Sequence, residues 1–119
     1  MNILRNKVSL IGRLGADPQV YVYDGGRKRA RFTVATNDTY RNAKGEKIVD
    51  TQWHNVVAWG SSAGFAEKYL KKGMEVVVEG RLVYREYEAR DGVRRQTAEV
   101  VVDRLLILQG RRMRQAAEA

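Results

Sequence analysis

Trp53-His54-Asn55-Val56-Val57-Ala58-Trp59 is followed by Gly60-Ser61-Ser62, and there the rhythm of the chain changes. Side chains alternate faces along an extended strand, so Trp53, Asn55, Val57 and Trp59 share one side. Beyond Gly60, Phe65, Ala66, Tyr69 and Leu70 recur at helical spacing. Ser61 or Ser62 can cap the start of that helix and Gly73 can end it, a span of roughly ten residues. Two indoles on one face of a sheet are either core or a platform on which flat rings stack.

Outward from this strand-to-helix junction, most of the chain carries period-two patterning. Lys7 to Leu14 places Val8, Leu10 and Leu14 on one face, with Lys7, Ser9 and Arg13 on the other. Gly15-Ala16-Asp17-Pro18 breaks that strand, Val20 to Tyr23 resumes one, and Asp24-Gly25-Gly26 is a hairpin signal. Ala30, Phe32 and Val34 face inward on the next strand, and the polar stretch Asn37 to Val49 reads as a long hairpin loop before a strand over 52–59. A long strand then runs from Glu75 to Glu88, with Val76, Val78, Leu82 and Tyr84 on one face and Arg81, Arg85 and Tyr87 on the other. Arg90-Asp91-Gly92 turns the chain into a last strand, about Arg94 to Leu108. Five strands with one short helix between the third and fourth predict an all-β fold, a small closed barrel. The five-stranded OB-fold has this order, with its ligand face on strands 2 and 3, and another small barrel satisfies the periodicity equally.

The 119 residues make one domain with enough chain to bury a core unaided. Lys and Arg number 22 against 14 Asp and Glu, a net charge of +8 that points to a polyanionic partner. The absence of cysteine excludes disulfides, thiolate metal sites and cysteine nucleophiles. Arg13 interrupts the N-terminal apolar stretch, so no export signal is expected. Val76-Val77-Val78 and Leu105 to Leu108 are too short to span a bilayer. A soluble, cytoplasmic protein with no membrane partner is the expectation.

Asn6-Lys7-Val8, Ile11 to Gly15 with Asp17-Pro18, Phe32 to Thr36, Trp53 to Val57, Ala66 to Gly73, Val76 to Leu82 and Glu99 to Asp103 together resemble the bacterial single-stranded DNA-binding proteins, in order and spacing from about residue 4 to 108. The resemblance implies an OB-fold single-stranded DNA-binding domain over 1–110, followed by a basic, disordered C-terminal stub over 111–119. It implies a homotetramer that binds single-stranded DNA without sequence preference and protects exposed strands in replication, recombination and repair. The family's stacking aromatics fall on Tyr40, Trp53, Trp59 and Tyr87, and its basic positions on Lys7, Lys72, Arg85 and Arg95. Family members generally continue into a tail with an acidic tip that recruits other proteins; this chain ends in Arg- and Ala-rich residues, so partners borne by such a tail are not expected.

Each candidate also has a plain structural reading. Trp53 and Trp59 can be core indoles. Arg81, Arg85 and Tyr87 interleave charge and aromatic surface, whereas Glu79 on the same face suits a solvated strand. Tyr40 beside Arg41 lies in the polar loop, where an exposed ring favours binding. Arg27, Lys28, Arg29 and Arg31 either hold phosphate or keep an edge soluble, with Arg31, inside the strand, the stronger candidate. His54 is the only histidine and points away from Trp53, so it cannot build a His-based metal site. The resemblance puts it near the subunit interface, where its protonation would weaken assembly.

Gly12 to Gly15 sits in a strand pattern, and Gly60 to Gly64 lacks the lysine of a phosphate-binding loop. With no paired acids and no triad, no catalysis is expected, and neither a metal nor a cofactor. The rival readings are a barrel devoted to RNA or replication restart, a protein-assembly module, and a nuclease, which would need clustered carboxylates.

Overall fold

The computed structural model describes the backbone of residues 5–109 and 112–118 and the side chains of residues 5–108. Strands β1 (Val8–Leu14), β2 (Gln19–Val22), β3 (Lys28–Arg41) and β4 (Lys47–Trp59) precede helix α1 (Ser61–Tyr69), and β5 (Glu75–Glu88), β6 (Arg94–Gln109) and β7 (Arg112–Glu118) follow it. Hydrogen bonding links them in the order β1-β5-β6-β4-β3-β2, and a further β1–β3 pairing closes the ring. Five strands, β1, β3, β4, β5 and β6, thus form the closed barrel of an OB-fold, with α1 between its third and fourth strands.

Closure depends on Gly12. A Cβ there would overlap the Ala35 carbonyl and press on Val34, so only glycine lets β1 come this close to β3 at the seam. The barrel interior follows the alternation of the sequence: Ala30, Phe32 and Val34 from β3, Val56 and Ala58 from β4, Val76 and Val78 from β5, and Val100, Val102, Leu105 and Ile107 from β6 are buried together. Helix α1 plugs one end with Ala63 and Ala66, and Leu70 at its C-cap joins the same cluster. Its N-cap position is Gly60, in the left-handed region, and both Ser61 and Ser62 lie inside the helix rather than capping it.

Three features differ from the expectation. β3 and β4 continue as a paired ribbon out to Arg41 and Lys47, so Tyr40 is a strand residue and the loop shrinks to 42–46. That short turn is held by Asn42, whose side-chain oxygen accepts from the backbone N–H groups of Lys44 and Glu46. Tyr84 projects on the inward-facing register of β5 but beyond the barrel, and it is 60% exposed. Where a disordered stub is expected over 111–119, the backbone of Arg112–Glu118 pairs with β6 as β7; Arg111 and Ala119 lie outside the described residues. None of the described helices is long and apolar enough to cross a membrane.

Candidate nucleic-acid interface

The outer face of the barrel is set by register. Across β3 and β4, Arg29 opposes Trp59, Arg31 opposes Val57, Thr33 opposes Asn55 and Ala35 opposes Trp53. The face continues onto β6, where Asn55 and Val57 pair in parallel with Glu99 and Val101. From there it reaches β5, where Val83, Arg85 and Tyr87 oppose Glu99, Thr97 and Arg95. Val57 is 1% exposed although it points outward, so it forms the floor beneath the longer side chains of this face.

Around Trp59 the chain builds a ring of cations and aromatics. The Arg27 guanidinium lies 4.2 Å from the centre of the Trp59 ring, and that of Arg29 lies 5.9 Å from it. Tyr23 stands 5.9 Å away, its ring tilted 32° to the indole. Arg29 Nη1 donates to the Tyr23 hydroxyl at 2.9 Å. Trp59 is therefore neither core nor bare: it is half-buried at the wall of an open pocket of about 460 Å³, lined by Tyr23, Asp24, Arg27, Arg29 and Arg85.

A second pocket of about 450 Å³ adjoins the first through Arg29 and Arg85, and adds Arg31, Glu86, Tyr87, Thr97 and Glu99. Glu99 is 4% exposed, and its Oε1 lies 2.8 Å from Arg85 Nε. A carboxylate at that depth needs a charge partner, and Arg85 supplies it as an ion pair, while Oε1 itself accepts no hydrogen bond. Arg31 has no ion pair among the described residues, and it also lines the cleft with Gln19, Thr33 and Asn55 on its other side. Together these pockets make a furrow with a ring at each end, Trp59 and Tyr87, and guanidinium groups between.

The remaining candidates are distributed around this furrow. Trp53 is 61% exposed, and the outer edge of its ring lies against Gly15, at the start of the β1–β2 connection. A Cβ on Gly15 would run into its ring and come within 2.8 Å of the Thr33 hydroxyl. It stands six residues from Trp59 on the same face, about 20 Å along the strand. Tyr40, 53% exposed, and Arg41, which donates to the Gly45 carbonyl, sit near the tip of the β3–β4 ribbon. Arg95 pairs with Asp91 at the β5–β6 turn, Arg81 with Asp103 at 3.8 Å, and Lys7 with Glu79 at 3.4 Å. Lys72 is exposed in the turn after α1, its backbone N–H bonded to Asp17. None of these lines the furrow. His54 bonds Thr36 across the strands, Nε2 to Oγ1 at 2.9 Å, half-buried.

Tyr23, Arg27 and Arg29 are the site residues that sequence reasoning left out or undecided. The signal was present as the spacing Arg27, Arg29, Arg31, which puts three guanidiniums on one face, but nothing linear places that face beside Trp59. Among the described residues no group of three or more His, Asp or Glu side chains could hold a metal ion.

Comparison with known proteins gives these features a family. A model described as the single-strand binding protein family matches residues 5–108. Single-stranded DNA-binding proteins from two serogroups of Neisseria meningitidis are each 41% identical over 106 residues, 89% of this chain. Those residues cover 61% of each relative, so the chain spans about three fifths of their length. Among solved structures, a Plasmodium falciparum SSB complex with ssDNA is similar with a TM-score of 0.79 at 34% identity, covering 92% of this chain and all of that one. A deletion mutant of the single-stranded DNA-binding protein from Thermus aquaticus has a TM-score of 0.76 at 31% identity, over 89% of this chain and 51% of its own.

Proposed function

The chain belongs to the single-strand binding protein family, and on that premise we propose that it coats single-stranded DNA without sequence preference. The observation that carries this reading is the gathering of Trp59, Tyr87, Arg29, Arg31 and Arg85 on one outer face of the barrel. Bases stack on rings of any sequence context, and guanidiniums attract phosphate wherever it passes, which is binding rather than catalysis. The relative from Plasmodium falciparum, whose structure holds ssDNA, supports the same ligand.

In this reading bases stack on Tyr40, Trp53, Trp59 and Tyr87. Arg31 and Arg85 hold the backbone in the furrow, and Lys7, Arg41, Lys72, Arg81 and Arg95 extend the positive field around it. Coating keeps exposed strands from re-annealing during replication, recombination and repair in the cytoplasm. Assembly into a homotetramer multiplies the sites on one strand. A second copy meets this chain through the outward row Ile11, Val77 and Leu106, aligned across β1, β5 and β6. His54 contributes to the subunit contact through its tie to Thr36.

Tryptophan fluorescence tests the reading. Oligothymidine quenches the two indoles strongly and duplex DNA only weakly, with affinity that falls as salt rises. Unchanged fluorescence and no binding at low salt would discard the reading in favour of a protein-assembly role.

A further inference from the structure

We propose that Tyr23, Arg27, Arg29 and Trp59 form a nucleotide subsite with an exchange built into it. Arg27 covers the indole in the free protein, and a base of the single strand displaces it while the guanidinium passes to the adjoining phosphate. The proposal deepens the single-strand-binding reading and rests on it.

The geometry supplies each part. At 4.2 Å from the ring centre, the Arg27 group fills the space a stacked base would occupy on that face. Arg27 is exposed and follows Gly25 and Gly26, both at positive φ and with open space where a side chain would stand, immediately before β3 begins at Lys28. Its side chain is therefore tied to a turn rather than to the core, and it can leave the ring without unpacking anything. The rest of the pocket is fixed. Tyr23 is held by the Arg29 hydrogen bond and forms a wall beside the indole. Arg29 Nε is buried without a hydrogen-bond partner, between the two pockets of the furrow.

Charge sets the direction of entry. Three guanidiniums against one carboxylate leave the pocket cationic. Asp24 at the turn repels phosphate and steers the backbone toward Arg29 and Arg85. A stacked base contributes more than an exposed cation–π contact, so the base wins the ring. The guanidinium it releases stands next to the incoming phosphate.

The test is the salt dependence of labelled oligothymidine binding, read by anisotropy for the wild type, Arg27→Ala and Arg27→Lys. Loss of one phosphate contact makes the Arg27→Ala slope shallower by about 0.7. Loss of the competing guanidinium raises its affinity on extrapolation to about 1 M salt, by roughly two- to fivefold. The two lines therefore cross, with the variant weaker at low salt and tighter at high salt. Arg27→Lys keeps the wild-type slope, and its high-salt affinity falls between the other two. Lines that merely converge near 1 M would make Arg27 a plain phosphate contact and overturn the exchange. Parallel or identical lines would overturn the subsite altogether. A wild-type chain that fails to bind at any salt would overturn the single-strand reading itself, and this subsite with it.

Discussion

Single side chains of the outer face differ in what they contribute, because their surroundings differ. Trp53 is an exposed ring resting on Gly15, whereas Trp59 is half-buried and already covered by Arg27. Truncating either to alanine should weaken oligothymidine binding by about 1–3 kcal/mol, in isothermal titration at fixed salt. The midpoint of thermal unfolding should hardly move for Trp53→Ala, since its ring packs on the surface. Gly15→Ala should imitate Trp53→Ala in binding, because the new methyl displaces the ring while the fold stays intact by circular dichroism. Normal affinity in Gly15→Ala would remove Trp53 from the interface. Glu99 works in the opposite sense. Its carboxylate, 2.8 Å from Arg85, offsets one positive charge of the furrow. Glu99→Gln keeps the shape and frees that charge, so the salt slope should steepen by up to about 0.7. An unchanged slope would mean that Arg85 makes no phosphate contact.

At the scale of elements, patterning and register carry different information. The inward sets of β3 and β5 were legible because Ala30, Phe32 and Val34, or Val76 and Val78, alternate with polar residues, and burial on one face imposes that alternation. The outer half of the β3–β4 ribbon was not. Asn37 to Arg41 is exposed throughout, so no apolar face marks it as a strand, and only the ladder to Lys47–Thr51 makes it one. The Trp59 ring of cations escaped linear reading for a related reason: Arg29 meets Trp59 through cross-strand pairing that no local signal encodes. Two variants separate the elements. Tyr40→Ala, at the ribbon's tip and far from the core, should lower affinity with little change in stability. Leu70→Ala, 3% exposed where α1 plugs the barrel, should instead cost about 2–5 kcal/mol in denaturant unfolding. Its affinity for oligothymidine should be nearly normal below the unfolding transition. Loss of affinity in a folded Leu70→Ala chain would mean that α1 shapes the furrow directly.

The molecule as a whole carries +8, and the two associations proposed for it respond to salt in opposite ways. Binding to a polyanion releases counterions and weakens as salt rises. Meeting a second copy brings like charges together, so screening helps it, and its attraction has to come from apolar surface. The outer row Ile11, Val77 and Leu106 provides that surface: Ile11 is 58% exposed, and Val77 and Leu106 are half-buried beside it. Burying an isoleucine side chain is worth about 1.5–3 kcal/mol, and a two-fold contact uses each Ile11 once from both sides. Ile11→Lys removes that gain and adds a charge to each copy. Light scattering after gel filtration should therefore show the wild-type assembly persisting or strengthening between low and high salt, with Ile11→Lys reduced in mass at both. The variant should still quench with oligothymidine, since Ile11 lies on β1, outside the furrow. An Ile11→Lys assembly of wild-type mass would move the subunit contact off this face. A wild-type assembly that dissolves in high salt would make the contact electrostatic rather than apolar.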